Sequence, residues 1–413
     1  MNEQRLLERF LRYVHIDTTA NPRATSYPSS PGQLALGALL VEELLAAGIA
    51  DAHQDEHGLV WGTVPATVPG EQPVIALNAH LDTSPETTGA GVRPQVIRQY
   101  AGGDIPLPGA PSQIIRVADN ADLPLLLGRT LVTSDGTTLL GGDDKAGVAV
   151  IMEVVSQLME RAEIPHGPVR VLFTCDEEIG HGVDHVDLAR LGATAAYTLD
   201  GPGAQHIDVE TFSADLATIT IRGVNIHPSI AKNRMVNAVR AAAEFLTRLP
   251  QDRLCPEQTD GRDGFLHPYQ VEGGVAEVVL RVLLRDFETH RLHEQAELLR
   301  KIAAEVEGRI PGSTLQVETR AQYRNMREGL RREPRAVRCA ELACQRLGYL
   351  PRLSIIRGGT DGSQLTERGL PTPNLSTGQH TPHSPLEWVC LEEMTQAAQT
   401  LVELLKIWCE SAD

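Results

Sequence analysis

Apolar and polar positions along the chain follow two periods, and the places where one gives way to the other divide it into elements. Leu6, Leu7, Phe10 and Leu11 recur at helical spacing among the charged residues of 1–11, which predicts an amphipathic helix. Leu and Ala keep helical spacing through 32–48. Short apolar runs then predict strands at 60–64, 74–79, 131–133, 169–174 and 195–199, and the unbroken apolar stretch 148–155 predicts a buried helix. Strands alternating with helices imply an α/β layer.

From about residue 212 the texture changes. A strand (217–221), a helix (235–249), two strands (269–275 and 276–287), a helix (290–310) and a strand (314–319) follow in turn. This β-α-β-β-α-β order is the split motif of a ferredoxin-like layer and predicts a separate, inserted domain. The chain then returns to α/β alternation, with helices at 335–347 and 391–408. The expected domains are 1–211 and 322–413 as two parts of one α/β domain, with 212–321 inserted between them.

Polar groups collect where the apolar strands end. Val74-Ile75-Ala76-Leu77-Asn78-Ala79 runs straight into His80-Leu81-Asp82. Residues two apart on an extended segment share a face, so a histidine can face a metal while the neighbouring acid orients its ring. Alone, His-x-Asp is more often a surface pair; the end of a strand, where α/β proteins bind ligands, favours a site. Thr138-Leu139-Leu140-Gly141-Gly142-Asp143-Asp144-Lys145-Ala146-Gly147 sets two carboxylates in a glycine-bounded turn. An N-cap is the ordinary use of such an Asp. A phosphate loop fails, because Gly-x-x-x-x-Gly-Lys-Ser/Thr is absent and the two acids would repel a phosphate. A metal site needs further ligands from elsewhere in the chain.

Those candidates exist. Asp176-Glu177-Glu178, after the strand at 169–174, is either a solvated loop or one metal-binding Glu beside a general base. Asp200 closes the strand at 195–199, so His80, Asp143, Glu178 and Asp200 all follow apolar strands. In the insertion, His227 is a turn histidine or reaches a ligand, and Arg285 pairs with Asp286 or another acid unless it reaches substrate. Ile355-Ile356-Arg357-Gly358-Gly359-Thr360-Asp361-Gly362 is an anion-holding loop or a plain tight turn. Between His380 and His383 spacing alone does not choose.

Composition narrows the class. At 413 residues and 42% apolar the chain can bury a large core in two or three domains. A net charge of -17 argues against a nucleic-acid partner. No run approaches the ~18 to 20 apolar residues of a membrane span, and the charged opening segment does not read as a signal peptide. Six cysteines without a Cys-x-x-Cys pair fit free thiols, so a cytoplasmic location is expected.

Together these motifs resemble the peptidase T family of tripeptide aminopeptidases. These belong to the dinuclear-zinc metallopeptidases, which also include dipeptidases, aminoacylases and glutamate-releasing carboxypeptidases. The likeness spans nearly the whole chain. It runs through Leu6-Leu7-Glu8-Arg9-Phe10-Leu11, Ile16-Asp17-Thr18, His80-Leu81-Asp82-Thr83-Ser84-Pro85, Leu140-Gly141-Gly142-Asp143-Asp144-Lys145-Ala146-Gly147 and Asp176-Glu177-Glu178. It continues in Met235-Val236-Asn237-Ala238, Asn325-Met326-Arg327-Glu328 and Arg357-Gly358-Gly359-Thr360-Asp361-Gly362.

The resemblance implies an α/β zinc-peptidase catalytic domain with an inserted ferredoxin-like α+β lid that also serves dimerisation. It implies two Zn2+ per chain, with Co2+ or Mn2+ as substitutes: His80 and Asp200 on one ion, Glu178 and His383 on the other, and Asp143 bridging. His383 is preferred over His380 because it lies four residues before Glu387, as the family's ligand does before its glutamate. Asp82 would orient His80, and Glu177 would be the general base. His227 would complete the partner subunit's site in a homodimer by stabilising the oxyanion, while Asn237, Arg285 and Arg357 would face a short-peptide substrate.

Two positions depart from the family pattern. Ser229 stands where a glycine after His-Pro is expected, and Thr381-Pro382-His383-Ser384-Pro385 replaces an aromatic- and glycine-containing stretch. These place any difference in the loop around His227 and in the pocket for the peptide's amino end. A dipeptidase or N-acyl amino-acid hydrolase using the same metals is the alternative enzyme. A non-catalytic binding module is disfavoured, since no ligand is missing and Glu177 is present.

Overall fold

The structure, a computed structural model, describes residues 1–410. The chain forms two compact units: Met1–Val209, Met326–Ser354 and the chain from Thr360 onward make the first, Glu210–Asn325 and Ile355–Gly359 the second. The second unit thus runs a few residues beyond the insertion expected at 212–321, and it takes in Arg357, which had been expected in the segment 322–413.

In the first unit, α1 (Glu3–Val14) opens where the Asn2 side chain accepts the Arg5 N–H, and it buries Leu6, Leu7, Phe10 and Val14. Strands β1 (Val60–Val64), β2 (Ile75–His80), β3 (Val169–Thr174) and β4 (Ala195–Pro202) stand in the spatial order β1-β3-β2-β4. β2 runs parallel to both neighbours, with His80 opposite Thr174 and Asn78 opposite Thr198. The chain therefore leaves all three strands at one edge of the sheet. α2 (Gly142–Glu160) is buried along almost its whole length, because α1, the C-terminal helix Leu391–Glu410 and the sheet all pack on it. Gly147 lets it approach: a Cβ there would meet the Leu199 carbonyl oxygen at 2.0 Å.

The second unit is a four-stranded antiparallel sheet with two helices on it. β5 (Ser213–Arg222), β6 (Phe265–Gly273), β7 (Glu277–Asp286) and β8 (Thr314–Tyr323) lie in the order β6-β7-β5-β8. α3 (Ala238–Arg248) and α4 (Thr289–Arg309) cover the face carrying Ala217, Ile219, Ile221, Leu280 and Val282. β6 begins earlier than expected and contains Pro268; an edge strand with a bulge between Pro268 and Gln270 tolerates the missing N–H.

Two elements of the first unit were not legible in advance. α5 (Asp361–Glu367) forms where glycines suggested a turn, because Thr360 and Ser363 satisfy each other's backbone N–H in a capping box. β9 (Asn374–His380) lies parallel to β4 with Leu375 opposite Leu199, and all seven residues are buried although most are polar. Neighbours satisfy those polar groups: Asn374 Nδ2 donates to Asp208 at 2.9 Å and Thr377 Oγ1 to the Gly201 carbonyl at 3.0 Å. Among the described residues no helix is long and apolar enough to cross a membrane.

Candidate metal centre

The loops leaving β2, β3 and β4 meet the turn that opens α2. His80, the last residue of β2, is buried with its Nε2 3.0 Å from Asp143 Oδ1 and 3.9 Å from Asp200 Oδ1. Its Nδ1 lies 3.1 Å from the Asp82 carbonyl oxygen and 3.4 Å from Asp82 Oδ1. The buried Asp82 carboxylate also accepts the backbone N–H groups of Glu177 and Glu178, each at 3.0 Å. One acid thus fixes a ring and two acidic residues together. His383 Nε2 stands 3.0 Å from Glu178 Oε2 and 3.4 Å from Asp143 Oδ2, so Asp143 lies between the two imidazoles.

Among the described residues two triads converge closely enough to hold a cation: His80, Asp143 and Glu178, and His80, Asp144 and Asp200. Asp144 has another employment. Its oxygens accept the His80 N–H at 3.1 Å and the Gly147 N–H at 3.2 Å, tying the end of β2 to the first turn of α2. Asp200 is steadied by Gln379 Nε2, which donates to its Oδ1 at 3.2 Å. The Asp143–Asp144 peptide is cis, and Gly141, at φ +83°, turns the chain into it.

The electrostatics are those of crowded acids around two rings. Burial pushes Glu178 up to about 7, with Asp143 adding to the effect and His383 opposing it. Burial and Asp143 likewise raise Asp200. Burial opposes charge on His383, but Asp143 and Glu178 outweigh it and hold the ring up at about 11; His80 is raised in the same way by Asp143 and Asp82. Asp143 is depressed, since hydrogen bonds from both histidines overcome its burial. Glu178 Oε1 is buried without a hydrogen-bond partner, the condition of a group whose natural partner is an ion. A mixed imidazole–carboxylate set of this kind fits zinc and similar divalent cations.

Glu177 differs from its neighbours. Its side chain is half-buried, and its carboxylate has no hydrogen bond or ion pair among the described residues. Burial raises its proton affinity, opposed by His80 and reinforced by Asp361 and Asp200.

Of the two candidate histidines, His380 at the end of β9 and His383 beyond it, only His383 joins the cluster. His380 stacks on Trp388 at 3.7 Å and bonds Glu393 at 2.6 Å. Glu387 has a part that sequence reading missed: its buried carboxylate accepts the N–H groups of Leu140, Gly141 and Asp143 at 2.7 to 2.9 Å, clamping the turn that presents Asp143.

His227, Asn237, Arg285 and Arg357 belong to the second unit. His227 is exposed, and Ser229 Oγ sits 2.7 Å from its Nδ1, so the departure at 229 orients the ring. Asn237 caps α3 by accepting the Val239 N–H. Among the described residues Arg285 does not pair with Asp286 or another acid; it donates to the carbonyls of Asp215 and Leu284 and lies over the Tyr323 ring. Arg357 donates to the carbonyls of Thr259, Gly261 and Asp263 between the rings of Phe212 and Phe265, so its loop is not an open anion cradle.

Known proteins share this architecture. A peptidase T from Geobacillus thermodenitrificans is 43% identical over 406 residues, 98% of each chain. The solved structure of a tripeptidase from Staphylococcus aureus superposes with a TM-score of 0.78 at 24% identity, over the full length of both chains. A Bacillus subtilis protein described as a dinuclear metal-binding peptidase superposes with a TM-score of 0.65 at 17% identity over 99% of both. The pattern of the peptidase family M20/M25/M40 matches residues 140–407, a stretch that includes the acidic turn at Asp143, the Glu177-Glu178 pair, Asp200 and His383. An α/β unit whose strand ends gather histidines and acids, on a chain related to these proteins over its full length, belongs to the peptidase family M20/M25/M40.

Proposed function

We propose that this chain is a metal-dependent aminopeptidase that removes the N-terminal residue from tripeptides. The observation that carries the reading is the meeting of His80, Asp143, Glu178, Asp200 and His383 beside the unpaired carboxylate of Glu177. The tripeptide preference rests on the relative named peptidase T and on the structural neighbour described as a tripeptidase.

In this reading His80 and Asp200 would hold one cation, Glu178 and His383 a second, and Asp143, within 3.4 Å of both rings, would bridge them. The ions would be zinc, replaceable by cobalt or manganese. When bound, such a pair supplies positive charge that favours deprotonation of water and polarises the scissile carbonyl. The chain does the rest. Glu177 takes the attacking water's proton at its free carboxylate and returns it to the leaving amine. Asp82 holds the His80 ring through Nδ1 and keeps Glu177 and Glu178 in place through their N–H groups. His227 of one chain would donate to the oxyanion in the site of a second, making the working form a homodimer. Asn237, Arg285 and Arg357 would lie on the substrate side. The free state of all six cysteines supports a reducing, cytoplasmic setting.

The test is a panel of di-, tri- and tetrapeptides, each with a free and an acetylated amine, with and without added zinc. Zinc-dependent release of the N-terminal residue, fastest on free-amine tripeptides, is expected. Faster turnover of dipeptides or N-acylated substrates would replace the reading with a dipeptidase or an N-acyl amino-acid hydrolase.

A further inference from the structure

The first unit holds a separate polar cavity of about 210 Å3, walled by the segment around Asp122–Arg129, the turn after Pro202, Arg352 and the first turn of the C-terminal helix. Its charges are unevenly matched. Glu392 accepts the Thr130 N–H with both oxygens, at 3.0 and 2.9 Å. Glu393 sits 2.6 Å from His380 Nε2, and Asp122 lies 3.6 Å from His380 Nδ1 with its side chain 54% exposed. By contrast, the guanidiniums of Arg129 and Arg352 have no ion pair or side-chain hydrogen bond among the described residues.

A guest that completes this lining must carry both signs. Its carboxylate would take the two unpaired guanidiniums, whose planar forks suit that group. Its ammonium would face Asp122 and Glu393. A purely anionic guest would be set against three carboxylates, and a purely cationic one against two arginines. The volume lies below the range of drug-sized pockets and suits a small guest such as an amino acid. We propose that this cavity binds a free α-amino acid.

The site is wired to the candidate metal centre through one of its own walls. The Gly203 N–H donates to the Gln379 carbonyl and the Gly378 N–H to the Gly203 carbonyl, each at 2.9 Å. The Gln379 side chain in turn holds Asp200. A guest pressing on the Gly203 turn is therefore a short hydrogen-bonded step from Asp200. If the aminopeptidase reading holds, the guest is a product of the reaction and the cavity is a feedback site; that extension rests on the reading, whereas binding does not.

The experiment is calorimetric titration of the metal-loaded protein and of an Arg129→Ala/Arg352→Ala double variant with L-alanine and L-leucine, using acetate and methylamine as half-molecules. Both arginines are exposed, so the variant is expected to fold and to keep the wild-type kcat and KM on a peptide measured without added amino acid. The expected result is one amino-acid binding event fewer per chain in the variant, or one weakened at least tenfold, with either half-molecule binding the wild type at least tenfold more weakly than the amino acid. Equal amino-acid binding by the two proteins overturns the site, and acetate binding as tightly as alanine overturns the zwitterion assignment. Arginine-dependent amino-acid binding in a protein inactive on every peptide sustains the site and sinks only the aminopeptidase.

Discussion

Glu177 is the acid that the rest of the centre leaves unused. Its neighbours are committed to one another, while its own carboxylate has no partner among the described residues. Glu177→Gln keeps the size and the backbone bonds to Asp82 but cannot take a proton. Turnover should fall by about 10²- to 10⁴-fold with metal content unchanged by elemental analysis; an active variant would end the base assignment. The two imidazoles make a second prediction. His80 and His383 are held above their ordinary proton affinity in the metal-free protein, so at neutral pH a cation must displace their protons. Metal affinity should therefore rise with pH, and calorimetry in buffers of different ionisation enthalpy should show proton release on binding. Affinity independent of pH from 6 to 8 would mean that these rings are not ligands. What spacing alone could not settle at this scale was the choice between His380 and His383, which the family resemblance made in favour of His383. His380 is the last residue of β9 and His383 lies three residues beyond it, and the outcome depends on left-handed backbone at Thr381 and His383, which spacing does not encode.

Elements that bury apolar side chains were legible: the strands of 60–64 and 169–174 stand where their Val and Leu runs placed them, and so does the helix after the acidic turn. β9 was not, because a strand of Asn, Ser, Thr, Gln and His is buried only by virtue of partners far away in the chain. The same holds for Glu387, first noted only as a spacing marker for His383. With three backbone donors depending on a buried carboxylate, Glu387→Ala should cost about 3 kcal/mol or more of stability, since each orphaned donor carries its own desolvation penalty. Because one of those donors is the Asp143 N–H, metal affinity should fall as well. Urea denaturation and metal titration measure both, and a variant as stable as the parent would show that water replaces the clamp.

At the scale of the whole molecule the proposal makes the active unit larger than one chain. If His227 serves the site of a second subunit, His227→Ala and Glu177→Gln are each expected to inactivate the homodimer, for complementary reasons. A mixed dimer then contains one site with Glu177 from the alanine variant and His227 from the glutamine variant, and that site is whole. Random exchange in an equal mixture makes half of the dimers mixed with one of two sites restored, so activity should recover to about a quarter of the parent's. Two inactive preparations that stay inactive, after labelled chains are shown to have exchanged, would confine the reaction to a single chain and remove His227 from it. Recovery cannot come from restored folding, because among the described residues His227 is exposed and bonded only within its own turn, and the Glu177 substitution removes no side-chain hydrogen bond or ion pair.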